Sequence, residues 1–174
     1  TRDKKYADIF LANLNDPSYE VIDQASLALA RVKDPRAFDA LVKLTSTPSW
    51  KGRIQMAGLN ALAELGDPRA FETGYKMATD KELSVLIRTA AVVVVGKTGK
   101  GDTRAFPLIF DKFKAAFNSG NVQGIQNGII AIVKLGDPRG QEAIDMVKAK
   151  FKSNAGAMQW LAGQEAALKA NAKQ

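Results

Sequence analysis

The stretch Leu65-Gly66-Asp67-Pro68-Arg69-Ala70-Phe71 governs how this chain is read, because its core returns along the sequence. Asp34-Pro35-Arg36-Ala37-Phe38 precedes it, and Asp102-Thr103-Arg104-Ala105-Phe106 and Asp137-Pro138-Arg139-Gly140 follow, so the four Asp stand 33, 35 and 35 residues apart. Self-similarity at a period of roughly 20–50 residues marks a stack of supersecondary units, each too small to bury its own apolar face. Such a stack is suited to holding something rather than reacting with it.

The motif has a physical reading. The residues before it (Leu65-Gly66, Gly99-Lys100-Gly101, Leu135-Gly136) end one apolar helix pattern, with Gly free to take the left-handed conformation that stops a helix. Asp then caps the next helix through a side-chain oxygen, and Pro fits a first position whose N–H would be unpaired anyway. Behind it runs a short amphipathic segment: Ala37, Phe38, Leu41, Val42 and Leu44 in one copy, Phe106, Ile109, Phe110, Phe113 and Phe117 in another. A second start signal lies between the first ones. Asp16-Pro17-Ser18-Tyr19 and Thr47-Pro48-Ser49-Trp50 stand 31 residues apart and lead into more apolar helices, such as Ile54, Ala57, Leu59, Leu62 and Leu65. The unit is therefore a helical hairpin, repeated over approximately residues 3–33, 34–66, 67–101, 102–136 and 137–172 of a single domain, 1–174.

These residues carry a resemblance. A second helix reading Ile-Arg-x-Ala-Ala, as at Ile87–Ala91, closing on Leu-Gly-Asp-Pro-Arg-Ala, as at Leu65–Ala70, resembles the HEAT repeat in its short bacterial form. The resemblance implies an all-α fold, an α-solenoid or right-handed superhelix of about five hairpins. A narrower likeness lies in the order of Asp-Pro-Ser-Tyr and Thr-Pro-Ser-Trp, each leading to an Asp-Pro-Arg-Ala turn. It resembles the C-terminal helical-repeat domain of bacterial zinc aminopeptidases related to aminopeptidase N. In that family the zinc site, His-Glu-x-x-His with a distant Glu, lies in another domain, and no part of it is present in this sequence. The resemblance implies a non-catalytic domain that packs on a catalytic part. That the chain opens on Thr1 rather than Met fits a piece of a longer protein.

Composition narrows function further. With no His and no Cys, the 174 residues lack the commonest metal ligands, general base and thiol nucleophile, so self-contained zinc or triad chemistry is excluded. No enzyme activity, cofactor or metal is expected of the chain itself, and the missing cysteines leave its compartment open. The longest apolar run, Ala90–Val95, is far below the roughly 18 residues of a membrane span. Val92-Val93-Val94-Val95-Gly96-Lys97-Thr98-Gly99-Lys100-Gly101 resembles a strand entering a phosphate loop, but the Gly required five residues before Gly96 is Ala91. Aligned on Ile54 and Ile87, the stretch is a second helix followed by an insertion.

The net charge of +7 raises nucleic acid as a partner, and some HEAT-like proteins are DNA glycosylases. Counted by repeat, basic and acidic residues number five and five, four and three, six and four, four and two, six and four. The excess is smeared along the chain, which favours a protein partner over a nucleic-acid-binding or DNA-repair role; a free-standing adaptor is the third reading. The turn arginines Arg36, Arg69, Arg104 and Arg139 are expected to pair with Asp34, Asp67, Asp102 and Asp137 of their own or the adjacent turn. Candidate recognition residues on the concave row of second helices are Gln24, Gln55, Asn60, Arg88, Gln126 and Asn127. Trp50, matching Tyr19 one repeat earlier, is expected to pack between repeats; Trp160 is left undecided between packing and interface. Three expectations concern irregularity: Gly120, Gly124 and Gly128 cost about 0.5–1 kcal/mol each in a helix and weaken the fourth unit, Pro107 bends or delays the third long helix, and a final helix from Asn154 caps the stack.

Overall fold

A computed structural model describes residues Lys4–Lys173; Thr1 and Asp3, where the sequence reading placed the chain start and the first repeat, lie outside them. The described residues contain ten α-helices and no strand. They pair as five hairpins: α1 (Ala7–Asn13) with α2 (Tyr19–Val32), α3 (Ala37–Thr45) with α4 (Arg53–Leu65), α5 (Ala70–Thr79) with α6 (Val85–Thr98), α7 (Ala105–Ser119) with α8 (Val122–Leu135), and α9 (Gly140–Lys150) with α10 (Ala155–Asn171). The chain divides into two compact units, Thr1–Thr98 and Gly99–Gln174, with the division inside the Gly/Lys insertion. The all-α solenoid class read from the sequence is the class observed.

In unit 1 the hairpins meet chiefly through their second helices, α2 on α4 and α4 on α6; in unit 2, α8 meets α10 in the same way. The core runs between the two layers of each unit. Leu29, Leu41, Leu59, Leu62, Val94 and Val95 are fully buried in unit 1, and Ile109, Phe113, Ile129, Ile132, Ile144 and Leu161 in unit 2. Along α7 a seam of rings, Phe106, Phe110 and Phe113 stacked and Phe117 tilted against the last, has successive centroids 5.2 to 5.8 Å apart.

The Asp-Pro-Arg motif does start a helix, but by a turn placed ahead of it. The Asp67 carbonyl accepts the Ala70 amide at 2.9 Å and its Oδ1 accepts the Arg69 amide at 3.0 Å, after which regular α5 begins at Ala70. Pro therefore sits in the turn rather than at the first helical position. Asp102-Thr103-Arg104 makes the same turn without Pro (2.9 Å from the Arg104 amide to Asp102 Oδ1).

Two expectations of irregularity are corrected. Helix α7 starts at Ala105, so Pro107 falls in its first turn, where an N–H has no intrahelical acceptor, and costs no bond. Helix α8 is a full 14 residues, capped by the Asn121 side chain on the Gly124 amide at 3.0 Å. Its glycines allow close approach: a Cβ on Gly128 would stand 2.9 Å from Phe113 Cβ, and one on Gly124 2.7 Å from Ala116 Cβ. Gly140, the departure from Ala in the last turn, is held by the same constraint, since a Cβ there would meet Ile132 Cγ2.

Candidate functional site

Each turn arginine folds back onto the carboxylate of its own turn. Arg36 Nε lies 2.8 Å from Asp34 Oδ1, Arg69 Nη2 2.7 Å from Asp67 Oδ2, Arg104 Nη2 2.8 Å from Asp102 Oδ2 and Arg139 Nη2 2.6 Å from Asp137 Oδ2. These fork-to-carboxylate bonds hold Asp67, Asp102 and Asp137 below the usual carboxylate range, with the Arg side-chain hydrogen bond the leading cause. The inter-repeat link comes from the other face of the guanidinium. Arg69 lies 4.1 Å over the Phe38 ring and Arg139 4.4 Å over Phe106, each in the preceding repeat. In the first repeat the corresponding partner is a carboxylate, Asp8, 2.7 Å from Arg36 Nη1. The motif is thus a structural clasp with its polar atoms already committed.

The open face of the second helices is set by register. Arg31 Nε meets Glu64 Oε1 at 3.1 Å, which marks the register of α2 against α4 as a shift of 33 residues. On that register one open stripe runs through Asp23, Leu27 and Arg31 of α2, Arg53, Met56, Asn60 and Glu64 of α4, and Leu86, Thr89, Val93 and Lys97 of α6. In unit 2 the equivalent stripe of α8 is Gln123, Gln126, Ile130 and Lys134. Burial and Glu20 push the Asp23 carboxyl up, opposed by Arg53.

The structure places the candidate recognition residues unevenly on this face. Asn60 and Gln126 lie on the stripe and are exposed. Gln24, Gln55, Arg88 and Asn127 are one residue off it, about 100° around the helix. Gln24 Nε2 donates to Glu20 Oε1 at 3.2 Å, and Asn127 Oδ1 accepts from Gln123 at 3.0 Å. Arg88 is engaged elsewhere, its Nη1 donating to the carbonyls of Lys81 (3.1 Å) and Leu83 (3.0 Å) and so tying down the α5–α6 connection.

The sequence reading missed an apolar edge. Trp50 is not packed between repeats; it is 64% exposed, on a 3₁₀ turn (Trp50–Gly52) where Lys51 (φ 51°) and Gly52 (φ 69°) are both left-handed. Val85 and Leu86, at the start of α6, are 66% and 60% exposed. The signal was present in the sequence as an apolar residue directly after a Ser or Asn that stands ahead of each second helix: Ser18-Tyr19, Ser49-Trp50, Ser84-Val85 and Asn121-Val122. Trp160 is half-buried on α10.

A cavity of about 300 Å³ lies between the first two hairpins, lined mainly by Leu11, Leu14, Ile22, Ala40, Leu44 and Ile54. Its one carboxylate, Asp16, accepts the Ser18 amide at 2.8 Å. Among the described residues no group of three or more acidic side chains converges as a metal site would require, and no helix is long and apolar enough to cross a membrane. The Gly/Lys insertion is no phosphate loop: the valines before it belong to helix α6, and Lys100 Nζ donates to the Asn171 carbonyl at 3.1 Å, at the end of α10.

Comparison with known proteins agrees with this geometry. The model of the family described as HEAT repeats matches residues 7–94, half of the chain. A solved structure described as the crystal structure of an engineered protein, from the Northeast Structural Genomics Consortium, is similar with a TM-score of 0.51 at 16% identity, covering 95% of this chain and 80% of that one. This likeness concerns the fold alone. No curated protein matches the chain. Paired helices at the right period, a clasp turn at each repeat junction and the family match lead to one conclusion: the chain belongs to the HEAT-repeat family.

Proposed function

We propose that this protein is a non-catalytic interaction scaffold, and that it serves as the C-terminal part of a zinc aminopeptidase-like protein, packing on the catalytic portion and shaping access to its cleft. The observation that carries the scaffold reading is the commitment of the turn side chains. The Asp and Arg groups that recur with the period, the natural candidates for chemistry, are spent on one another and on backbone amides. What faces outward is a stripe of mixed polar and apolar side chains on the second helices, suited to holding a surface. The peptidase assignment rests on the order of the Pro-Ser-Tyr and Pro-Ser-Trp helix starts.

Two measurements test this. The reading frame upstream of Thr1 should encode His-Glu-x-x-His, and that upstream portion, produced separately, should bind this chain in calorimetry and lose affinity when Asn60→Glu or Thr89→Glu is introduced. An upstream frame without that motif removes the peptidase assignment. Tight binding to duplex DNA at low salt, fading steeply as salt rises, would overturn the protein-scaffold reading in favour of a nucleic-acid module.

A further inference from the structure

We infer that the cavity between the first two hairpins is a binding site for a free apolar α-amino acid, whose side chain enters the cavity while its ammonium and carboxylate meet Asp16 and Lys43 at the rim. Such a site goes beyond the scaffold reading and does not rest on it. Elsewhere unit 1 closes to backbone distance: a Cβ on Gly58 would stand 2.9 Å from Leu44 Cβ, and one on Gly74 2.9 Å from Val94 Cβ. Interiors packed in this way leave few voids larger than a water. The space of about 300 Å³ bounded by Leu14, Ile22, Leu44 and Ile54 departs from that packing.

Two opposite charges line this one cavity and do not meet. Asp16 comes from the turn that follows α1, Lys43 from the last turn of α3. Among the described residues no ion pair or hydrogen bond joins their side chains, and the Lys43 ammonium has no other partner. Asp16 commits Oδ1 to the Ser18 amide at 2.8 Å, which leaves Oδ2 for a ligand. The repeat does not require this pair. On the Pro-Ser register Asp16 corresponds to Thr47, so the next junction keeps Lys76 in place of Lys43 but has no acid in place of Asp16.

Charge and size select the ligand together. A fatty acid would set its carboxylate against Asp16, and an alkylamine would set its cation against Lys43; a zwitterion gives each rim group an opposite charge. The apolar floor then requires an apolar side chain, since a polar one would lose its hydration there without a partner. At about 30 Å³ for each water-sized atom the cavity holds about ten heavy atoms, the size of leucine, isoleucine or methionine. Burial of that side chain supplies the affinity, and the two charges fix its orientation.

The test titrates L-leucine into the full chain and follows the methyl NMR signals of Leu14, Ile22 and Ile54. Those signals should shift together and saturate with a Kd of about 1 mM or tighter. N-acetyl-leucine lacks the ammonium, leucinamide the carboxylate and glycine the side chain; each should bind about ten-fold more weakly or not at all. Asp16→Asn keeps an acceptor for the Ser18 amide and Lys43→Met keeps the apolar stem, so both should fold, and each should weaken leucine about ten-fold. Lys43→Met should not weaken leucinamide, which has no carboxylate to meet the lysine. No shift of these methyls up to about 10 mM leucine overturns the inference. Equal binding of leucine and its two blocked forms also overturns it, by making the cavity apolar and nothing more, as does undiminished leucine binding by both variants. If either variant fails to fold, the blocked ligands decide the matter on the unaltered chain.

Discussion

Two glycines in the interiors of neighbouring helices of unit 2 should respond in opposite senses to the same substitution. Gly163 of α10 has nothing within 4 Å of where a Cβ would sit. Gly163→Ala therefore gains only the helix propensity of alanine and the lost freedom of the unfolded chain, about 0.5–1 kcal/mol of added stability. Gly128 of α8 gains the same intrinsic amount, but its new Cβ would lie 2.9 Å from Phe113 Cβ and 3.2 Å from Phe113 Cα. Those atoms belong to or adjoin the α7 backbone, and Phe113 is fully buried, so relief requires the helices to separate. Overpacking of this kind costs about 1–3 kcal/mol, which leaves Gly128→Ala destabilising by about 1 kcal/mol net. Urea unfolding followed by Trp160 emission in a Trp50→Ala background reports on the unit holding both positions, and the two midpoints should move apart with unchanged slope. Equal stabilisation by both substitutions would refute the claim that glycine at 128 is required by helix approach.

Other perturbations probe the clasps. Because Arg139 bonds hold Asp137 below its unfolded pKa, the stabilisation is fully present above about pH 4 and is lost as pH falls through the folded value; Asp137→Asn should lower stability at pH 7, and its deficit should shrink towards pH 3 in acid-dependent melts. Asp8→Phe installs in the first repeat the residue found at Phe38 and Phe106, exchanging an exposed ion pair for a ring under Arg36; the melting temperature should change little while its salt dependence weakens. Asn171→Ala removes the 2.8 Å bond to the Val133 carbonyl and should cost about 1 kcal/mol, with faster amide exchange in the last turn of α10 as the direct readout.

The clasp shows how far the sequence could be read. Its period, the helix starts and the pairing of Arg with Asp were legible because they are local: an Asx turn depends on residues two and three apart. The ring beneath Arg69 and Arg139 was written in the motif as the Phe after Ala, yet its partner lies a full period away, and only stacking of hairpins brings them together. Pro107 and Gly128 were misjudged for a related reason. Helix propensity assigns a cost to each residue alone, whereas the true start of α7 and the closeness of α7 to α8 decide whether that cost is felt. The valine run before Gly96 is helical despite its β-branched side chains because Val92, Val94 and Val95 are buried in the core.

The candidate recognition residues show the opposite limit. Asn60 and Gln126 fell on the open stripe, whereas Arg88 was drawn into its own connection and Trp50 was turned outward by two left-handed residues that no hydrophobic pattern announces. Short-range spacing and composition were enough to establish the repeat, the all-helical class and the lack of histidine or cysteine chemistry. Which face is open, which glycines are contacts and which aromatic side chains meet water emerged only once the helices were packed. Those properties depend on the rotation of each helix against its neighbours, and a shift of one residue turns a side chain by about 100°.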